Sequence, residues 1–473
     1  MQFDSLAFLV FFVLVVAGYY SLPGWTSRKV LLVAASYLFY AAWNPLYVLL
    51  LLASTLADWR IARRIGETPS KQGRRRLLTL SILINIGLLG YFKYGQFLLD
   101  AFTNFASALG MDYAPPNVEI LLPVGISFYT FQTLSYTIDV YRGNVSPRWS
   151  LIDFALFVGF FPQLVAGPIV RASGFLPQCE KPKSFSPSSV GWGMALLSFG
   201  LFSKVVLADS ILAPAADTVF DGPGKVEMLD AWLGLLSFSG QIYLDFSGYS
   251  LCAIGAALCL GFRLPDNFRA PYAAVGFSDF WRRWHISLSS WLRDYLYISL
   301  GGNRCSQLRV LFNLMATMVL GGLWHGASWM FVIWGVLHGG FLIVERALAG
   351  RVRTIMRNMP SLRAALAGAV TFLAVSLAWI FFRSPDLGTA TELMGVLTGN
   401  TEGGFITFGD RIPLIAGTLA GLLIWHSLTR TTPAEARFAR LPVWARAAVI
   451  SVTLLAIIYS GNGNSHEFIY FQF

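Results

Sequence analysis

The chain contains few charged residues and few of the histidines and cysteines that form catalytic or metal sites in many soluble proteins. Only 13% of its 473 residues are charged, five are histidine and four are cysteine. The cysteines form no Cys-x-x-Cys pair and no histidine cluster accompanies them, so we expect no metal site and no disulfide framework. A phosphate-binding loop, the HExxH motif and a Gly-x-Ser-x-Gly nucleophile elbow are also absent. These absences argue against ATP use, zinc hydrolases and α/β-hydrolases. We assign a packing role to all of the cysteines, Cys179, Cys252, Cys259 and Cys305.

Hydrophobic residues, in contrast, make up 55% of the chain. Apolar segments of about 14 to 24 residues recur along nearly the whole length, and a helix of about 20 residues spans a bilayer. The sequence therefore predicts an all-α polytopic membrane protein with about 11 to 12 transmembrane helices. We expect one membrane domain over residues 1–473, with N-terminal helices in 1–115, a core in 116–346 and C-terminal helices in 347–473.

The net charge of +10 is distributed among the loops in the way that orients membrane helices. This pattern predicts contact with lipid and no binding to nucleic acid. Basic residues are concentrated in segments 60–76, 351–363 and 430–446, which we expect to be cytoplasmic. Acidic residues are concentrated in segments 100–119, 217–230 and 386–402, which we expect outside, together with the N-terminus. Segments 30–42 and 45–58, divided at Pro45, look short for full spans.

Three apolar segments carry unusual polar residues. One is residues 122–142, and a second, 161–171, contains two prolines and a glycine, which predicts a broken, re-entrant backbone around Gln163. In the third, Gln241, Asp245 and Tyr249 recur at helical spacing and share a face. Asp245 either lines a site or pairs with an arginine that holds helices together.

Residues 277–295 form a fourth unusual segment. On a helical wheel its large aromatic and aliphatic side chains share one face, with His285 at the edge, and its charged side chains share the other. This pattern predicts an amphipathic helix at the cytoplasmic membrane interface, which by itself need have no chemistry. The apolar face consists of Trp281, Trp284, Leu288, Trp291 and Tyr295.

His325 lies between two apolar stretches long enough to enter a bilayer. An ionisable side chain at membrane depth is costly to bury and therefore suggests a functional site. We expect Trp324, Trp329 and Trp334 to bury it. The neighbouring glycines, Gly321, Gly322 and Gly326, permit either close approach of a substrate or tight helix packing. We assign structural roles to the histidines His338, His426 and His466.

Sequence blocks occur in a fixed order at 280–288 (FWRRWHISL), 291–295 (WLRDY), 300–303 (LGGN) and 322–327 (GLWHGA). Together they resemble the membrane-bound O-acyltransferase family, especially bacterial subunits that O-acetylate alginate and related polysaccharides. Blocks 125–132, 162–169, 245–249 and 468–473 extend the resemblance over nearly the full chain. Long blocks in a fixed order are far less prone to chance matching than a single short motif.

The resemblance implies a site with two histidines, in which His325 matches the presumed catalytic residue and His285 matches a second family position. An imidazole can accept a hydroxyl proton as the oxygen attacks a thioester, or it can itself become acylated. The sequence does not separate these two roles. We expect Trp324, Asp245, Gln163 and Asn303 to line the site. Arg282 and Arg283 either contact phosphates of the donor or pair with Asp279 and lipid headgroups.

The implied enzyme is an acyltransferase in a bacterial inner membrane, with no permanently bound cofactor and an acyl thioester, acetyl-CoA or an acyl carrier, as co-substrate. It would pass acetyl groups across the membrane for O-acetylation of an exported, alginate-like polysaccharide. The resemblance implies periplasmic acetyltransferase subunits and a polysaccharide synthesis or export complex as partners. Three alternatives stay open. The first is a different acceptor, namely peptidoglycan or cellulose, the second is D-alanyl transfer to teichoic acid, and the third is a non-catalytic transporter or scaffold.

Overall fold

The computed structural model describes residues 1–111, 113, 121–355, 360–400, 408–460 and 468–469, and this part of the chain consists mainly of helices joined by turns and loops. No β-strand forms within those ranges, which confirms the predicted fold class. Among the same residues, nine helices are long and apolar enough to cross a bilayer. These helices are Pro45–Glu67, Lys71–Ala108, Pro187–Phe220, Met228–Cys259, Gln307–His325, Trp329–Gly350, Ser361–Arg383, Gly409–Thr429 and Val443–Ser460. Leu6–Ser21 and Leu387–Leu397 are apolar but shorter.

The chain divides into two compact units, the first of residues 1–197 and 252–265 and the second of residues 198–251 and 266–473. The first contains α1 (Leu6–Ser21), α2 (Trp25–Ala41), α3 (Pro45–Glu67), α4 (Lys71–Ala108), α5 (Ile126–Arg142), α6 (Leu151–Gly159), α7 (Ala172–Phe175) and most of α8 (Pro187–Leu201). The second contains α9 (Ala213–Phe220), most of α10 (Met228–Cys259), α11 (Phe277–Arg283), α12 (Ile286–Trp291), α13 (Gln307–His325), α14 (Trp329–Ile355), α15 (Pro360–Arg383), α16 (Leu387–Leu397), α17 (Ile412–Thr429), α18 (Ala434–Ala439) and α19 (Val443–Ser460). Two π-helical segments, Phe202–Leu212 and Leu292–Tyr297, also belong to the second unit.

The expectation that segment 45–58 is short was wrong, because α3 continues to Glu67 and has 23 residues. Pro45 starts this helix rather than breaking it. The side chain of Asn44 accepts a hydrogen bond from the Leu46 backbone N–H, and proline at the first helical position lacks only a donor that would be unsatisfied anyway.

The broken backbone predicted for segment 161–171 is present. Helix α6 ends at Gly159, and turns follow until α7 begins at Ala172. Side chains from Phe161 to Val170 are buried within the first unit, which fits the rule that irregular backbone in a membrane protein is tolerated where protein covers it.

The continuous amphipathic helix predicted for segment 277–295 was wrong. The segment forms α11 and α12, and the chain turns between them at Trp284 and His285. His285 adopts φ 42° and ψ 54°, a left-handed conformation that side chains other than glycine rarely adopt. The break buries both residues completely, whereas a straight helix would have placed His285 at the edge of its apolar face.

Helices α13 and α14 pack closely through glycines. A Cβ atom at Gly322 would collide with the carbonyl group of Phe331, and one at Gly335 would lie 2.6 Å from the Met318 carbonyl oxygen. A Cβ atom at Gly326 would likewise collide with the Phe331 ring. Of the two interpretations of these glycines, the contacts therefore support tight helix packing, which fixes the end of α13 where His325 lies.

All of the cysteines are free. Cys179, Cys252 and Cys259 are buried, as a packing role requires, but Cys305 is exposed ahead of α13, so packing does not explain it. Some sequence predictions fall outside the described residues. They concern Glu119, Glu402, His466, residues 470–473 and the side chains of residues 351–360. The predicted orientation of the loops stays a prediction.

Candidate active site

His325 is the last residue of α13 and is buried, with 3% of its surface exposed. Its ring contacts Trp324, Trp334 and Phe382, with centroid distances of 5.1, 5.2 and 5.3 Å. The expected contribution of Trp329 was wrong, because that side chain is 63% exposed. The chain turns away after His325, and Gly326 is extended. The histidine is thus held at a helix end inside an aromatic enclosure.

His285 is fully buried, and the turn between α11 and α12 directs its ring inward. Its Nδ1 atom lies 3.0 Å from Oδ1 of Asn267, and Phe246 packs edge-on against the ring at 4.7 Å. Burial lowers the pKa of His285 to about 3, because desolvation disfavours the charged imidazolium. The ring is therefore neutral at physiological pH and has one nitrogen with a lone pair.

The structure brings the two histidines together. Their ring centroids are 6.3 Å apart, and the Trp324 ring contacts both, at 5.7 Å from His285 and 5.1 Å from His325. Two imidazoles in a buried aromatic enclosure suit general-base or nucleophilic chemistry on a substrate placed between or beside them. Among the described residues, no group of three or more His, Cys, Asp or Glu could hold a metal ion.

Asp245 is buried and bonded on both carboxylate oxygens. Lys204 Nζ lies 2.9 Å from Oδ1, and the backbone N–H of Ile469 donates to Oδ2 at 2.8 Å. Lys204 also pairs with Asp209 at 3.2 Å. The cation is thus a lysine of the first π-helical segment, not the arginine considered from the sequence. The next residue along α10, Phe246, contacts the His285 ring, so Asp245 is adjacent in sequence to a residue of the site.

The two candidate arginines differ in their surroundings. The side chain of Arg282 is 71% exposed and approaches Asp279 only to 3.8 Å. Arg283 is mostly buried, lies 3.0 Å from Asp279, and donates to the carbonyl oxygens of Arg269 and Arg430. The alternative of pairing with Asp279 therefore accounts for Arg283, while Arg282 is accessible to a ligand.

Two other predicted site residues form hydrogen bonds with residues other than the histidines. Asn303 is exposed, and within the described part of the chain its Oδ1 accepts hydrogen bonds from Tyr297 and Arg346. Gln163 belongs to the first unit, is fully buried, and donates from Nε2 to the Phe157 carbonyl oxygen at 2.9 Å.

Asn267 and Lys204 are two residues of this region that were not predicted from the sequence. Asn267 lies in the loop between α10 and α11 and carries no motif of its own, so only its contact with His285 reveals it. Lys204 offered a signal, because a lysine inside the apolar run from Val190 to Leu212 needs a partner.

A family model matches the part of the chain that contains these residues. It describes the membrane-bound O-acyltransferase family and covers residues 144–383, half of the chain, including Asp245, Asn267, His285 and His325. The chain belongs to this family. It is therefore a multi-pass membrane acyltransferase, and the resemblance found in the sequence is confirmed.

Individual relatives of this acyltransferase are also named as enzymes that transfer acetyl groups to oxygen. A probable alginate O-acetylase of Azotobacter vinelandii is 43% identical over 413 residues, covering 87% of this chain and 79% of the relative. A probable alginate O-acetylase of Pseudomonas aeruginosa is 44% identical over 396 residues, covering 83% and 74%. A peptidoglycan O-acetyltransferase of Helicobacter pylori is 39% identical over 374 residues, covering 74% and 69%.

Proposed function

We propose that this acyltransferase takes an acetyl group from a cytoplasmic thioester and passes it across the bacterial inner membrane for O-acetylation of an exported, alginate-like polysaccharide. The observation that carries the proposal is the buried pair of His285 and His325, with ring centroids 6.3 Å apart. The names of the alginate O-acetylase relatives support the acetyl group and the polysaccharide acceptor.

In one route His325 acts as a general base. Its unprotonated nitrogen takes the hydroxyl proton, the hydroxyl oxygen bonds to the thioester carbonyl carbon, and the carbon–sulfur bond breaks. The departing thiolate then receives the proton from the imidazolium. In the other route a nitrogen of His325 attacks the thioester first, which gives an acyl-imidazole and a thiol, and the hydroxyl takes the acetyl group in a second step.

The thioester donor is acetyl-CoA or an acyl carrier, and both carry phosphate on the thiol-bearing arm or its attachment. Arg282 is the arginine we assign to these phosphates, because it is exposed and its nearest carboxylate is 3.8 Å away. The Trp324 ring contacts both imidazoles, so we assign it to the lining of the substrate site. Periplasmic acetyltransferase subunits complete the transfer, and a polysaccharide synthesis or export complex delivers the acceptor.

The test is the acetyl content of exported glycans, measured by NMR, in a deletion strain complemented with wild-type protein, His325→Ala or His426→Asn. His426 is a matched control because it is also buried in the second unit but contacts Tyr243 and Tyr272. We expect His325→Ala, present in the membrane at normal abundance, to lose acetylation and His426→Asn to keep it. Full acetylation with His325→Ala would refute the proposal.

Peptidoglycan is the second candidate acceptor, and the Helicobacter pylori relative favours it. Mass spectrometry of muropeptides from the same strains separates the two acceptors, because the acetyl groups lost with His325→Ala come from one polymer or the other.

A further inference from the structure

Asn267 is held beside His285 by several hydrogen bonds. It is 1% exposed, in the loop between α10 and α11. Its Oδ1 atom lies 3.0 Å from His285 Nδ1, 2.8 Å from the Ser287 hydroxyl and 3.3 Å from the Ser287 backbone nitrogen. Its Nδ2 atom lies 3.2 Å from the Ser250 hydroxyl. Asn267 therefore joins α10, the turn at His285 and the start of α12.

These contacts settle which way the amide of Asn267 points. A backbone N–H can only donate, so the Asn267 atom that faces the Ser287 nitrogen must be the oxygen. The same oxygen faces His285 Nδ1, and an amide oxygen can only accept. The hydrogen of the neutral His285 ring is therefore on Nδ1, and the lone pair is on Nε2.

The main chain of Asn267 also fixes the turn. Its carbonyl oxygen accepts the Ile286 backbone N–H at 2.9 Å, directly after the left-handed residue His285. A residue other than glycine rarely adopts this conformation, and the conformation persists where the surroundings over-determine it. Asn267 thus holds both the backbone and the ring of His285 in one orientation.

We propose that Asn267 is a positioning residue, which fixes the Nδ1–H tautomer of His285 so that Nε2 is the nitrogen that takes or gives a proton during acyl transfer. This inference rests on the proposed function. The uncharged amide orients the ring without the charge stabilisation that a carboxylate would give to an imidazolium. In the route through an acyl-imidazole, His285 therefore stays neutral until its Nε2 atom takes the hydroxyl proton of the acceptor, because the acylated His325 is then a poor base.

The tautomer can be observed directly. In protein purified into lipid nanodiscs and labelled with ¹⁵N-histidine, solid-state NMR separates protonated from unprotonated ring nitrogens, and the spectrum of His285→Asn assigns the His285 signals by difference. We expect a protonated Nδ1 and an unprotonated Nε2 in the wild-type protein, a mixture of tautomers in Asn267→Leu, and the wild-type tautomer in Asn267→Asp. Asn313→Leu is the control, because Asn313 is an equally buried asparagine whose amide donates to the Gly302 carbonyl oxygen.

Activity gives the second readout, as glycan acetylation in cells and as a pH profile in membranes supplied with acetyl-CoA. We expect Asn267→Leu to lower acetylation on the order of 100-fold, the scale of a general base. Asn267→Asp should retain activity and shift the acidic limb of the profile to a different pH, since a carboxylate stabilises the imidazolium. A role in structure alone would move neither the tautomer nor the pH profile.

Two results would overturn the inference. One is a protonated Nε2 in the wild-type protein, and the other is wild-type acetylation by Asn267→Leu at normal abundance. If Asn267→Leu does not accumulate in the membrane, the Asn267→Asp variant provides the test. An unchanged pH profile of acetylation in Asn267→Asp would then contradict the inference. Failure of the proposed function is distinguishable, because it would appear as full acetylation by His325→Ala with the His285 tautomer unchanged.

Discussion

The imidazole ring centroids of His285 and His325 lie 6.3 Å apart, although one residue lies in the turn between α11 and α12 and the other is the last residue of α13. Trp324 contacts both rings. The pair is thus a single site made from the turn between α11 and α12 and from the end of α13.

If the two histidines act as a unit, their substitutions should be non-additive. We expect His285→Asn and His325→Asn each to lower acetylation by roughly 100-fold or more. The double variant should be no worse than the more damaged single variant. The measurement is acetyl content per amount of membrane-inserted protein for all three variants. Two losses that multiply in the double variant would indicate independent roles.

The buried ion cluster of Lys204, Asp209 and Asp245 gives a prediction about stability. Lys204→Met removes the cation from two carboxylates, whereas Asp245→Asn leaves Lys204 paired with Asp209. Removing one member of a buried ion pair typically costs about 3 to 5 kcal/mol. We therefore expect Lys204→Met to lower the thermal unfolding midpoint of the protein in nanodiscs more than Asp245→Asn does. The opposite order would show that the bond from Asp245 to the Ile469 N–H matters more than the ion pair.

The glycine contacts between α13 and α14 predict a position-specific effect on His325. Gly322→Ala forces a methyl group against the Phe331 carbonyl, while Gly340→Ala adds one where nothing lies within 4 Å. Overpacking costs about 1 to 3 kcal/mol. We expect Gly322→Ala to lower both the unfolding midpoint and acetylation, and Gly340→Ala to change neither. Equal behaviour of the two variants would mean that the helices adjust without disturbing the site.

The surroundings of Arg282 and Arg283 predict different defects. Arg283→Gln loses a 3.0 Å contact with Asp279 and two bonds to carbonyl oxygens, so we expect a lower unfolding midpoint. Arg282→Gln alters an exposed side chain and should leave the midpoint unchanged. If Arg282 binds donor phosphates, its substitution raises the KM for acetyl-CoA with little effect on kcat. An unchanged KM would exclude that contact.

The length and spacing of the apolar runs determined the fold class, because a helix must satisfy its own backbone hydrogen bonds in a membrane and needs about 20 apolar residues to span it. The sequence alone also singled out His325 and His285, since the blocks around them are local and ordered. It predicted the broken backbone near Gln163 because prolines act on their immediate neighbours.

Only the tertiary structure decided how the site is assembled. A helical wheel assumes a continuous helix, so it could not show the left-handed turn at His285, which bonds from Asn267 hold in place. The partner of Asp245 is 41 residues away in Lys204, and its other partner, Ile469, is 224 residues away. Contacts over such separations leave no periodicity in the sequence, because the residues become neighbours only when their helices pack.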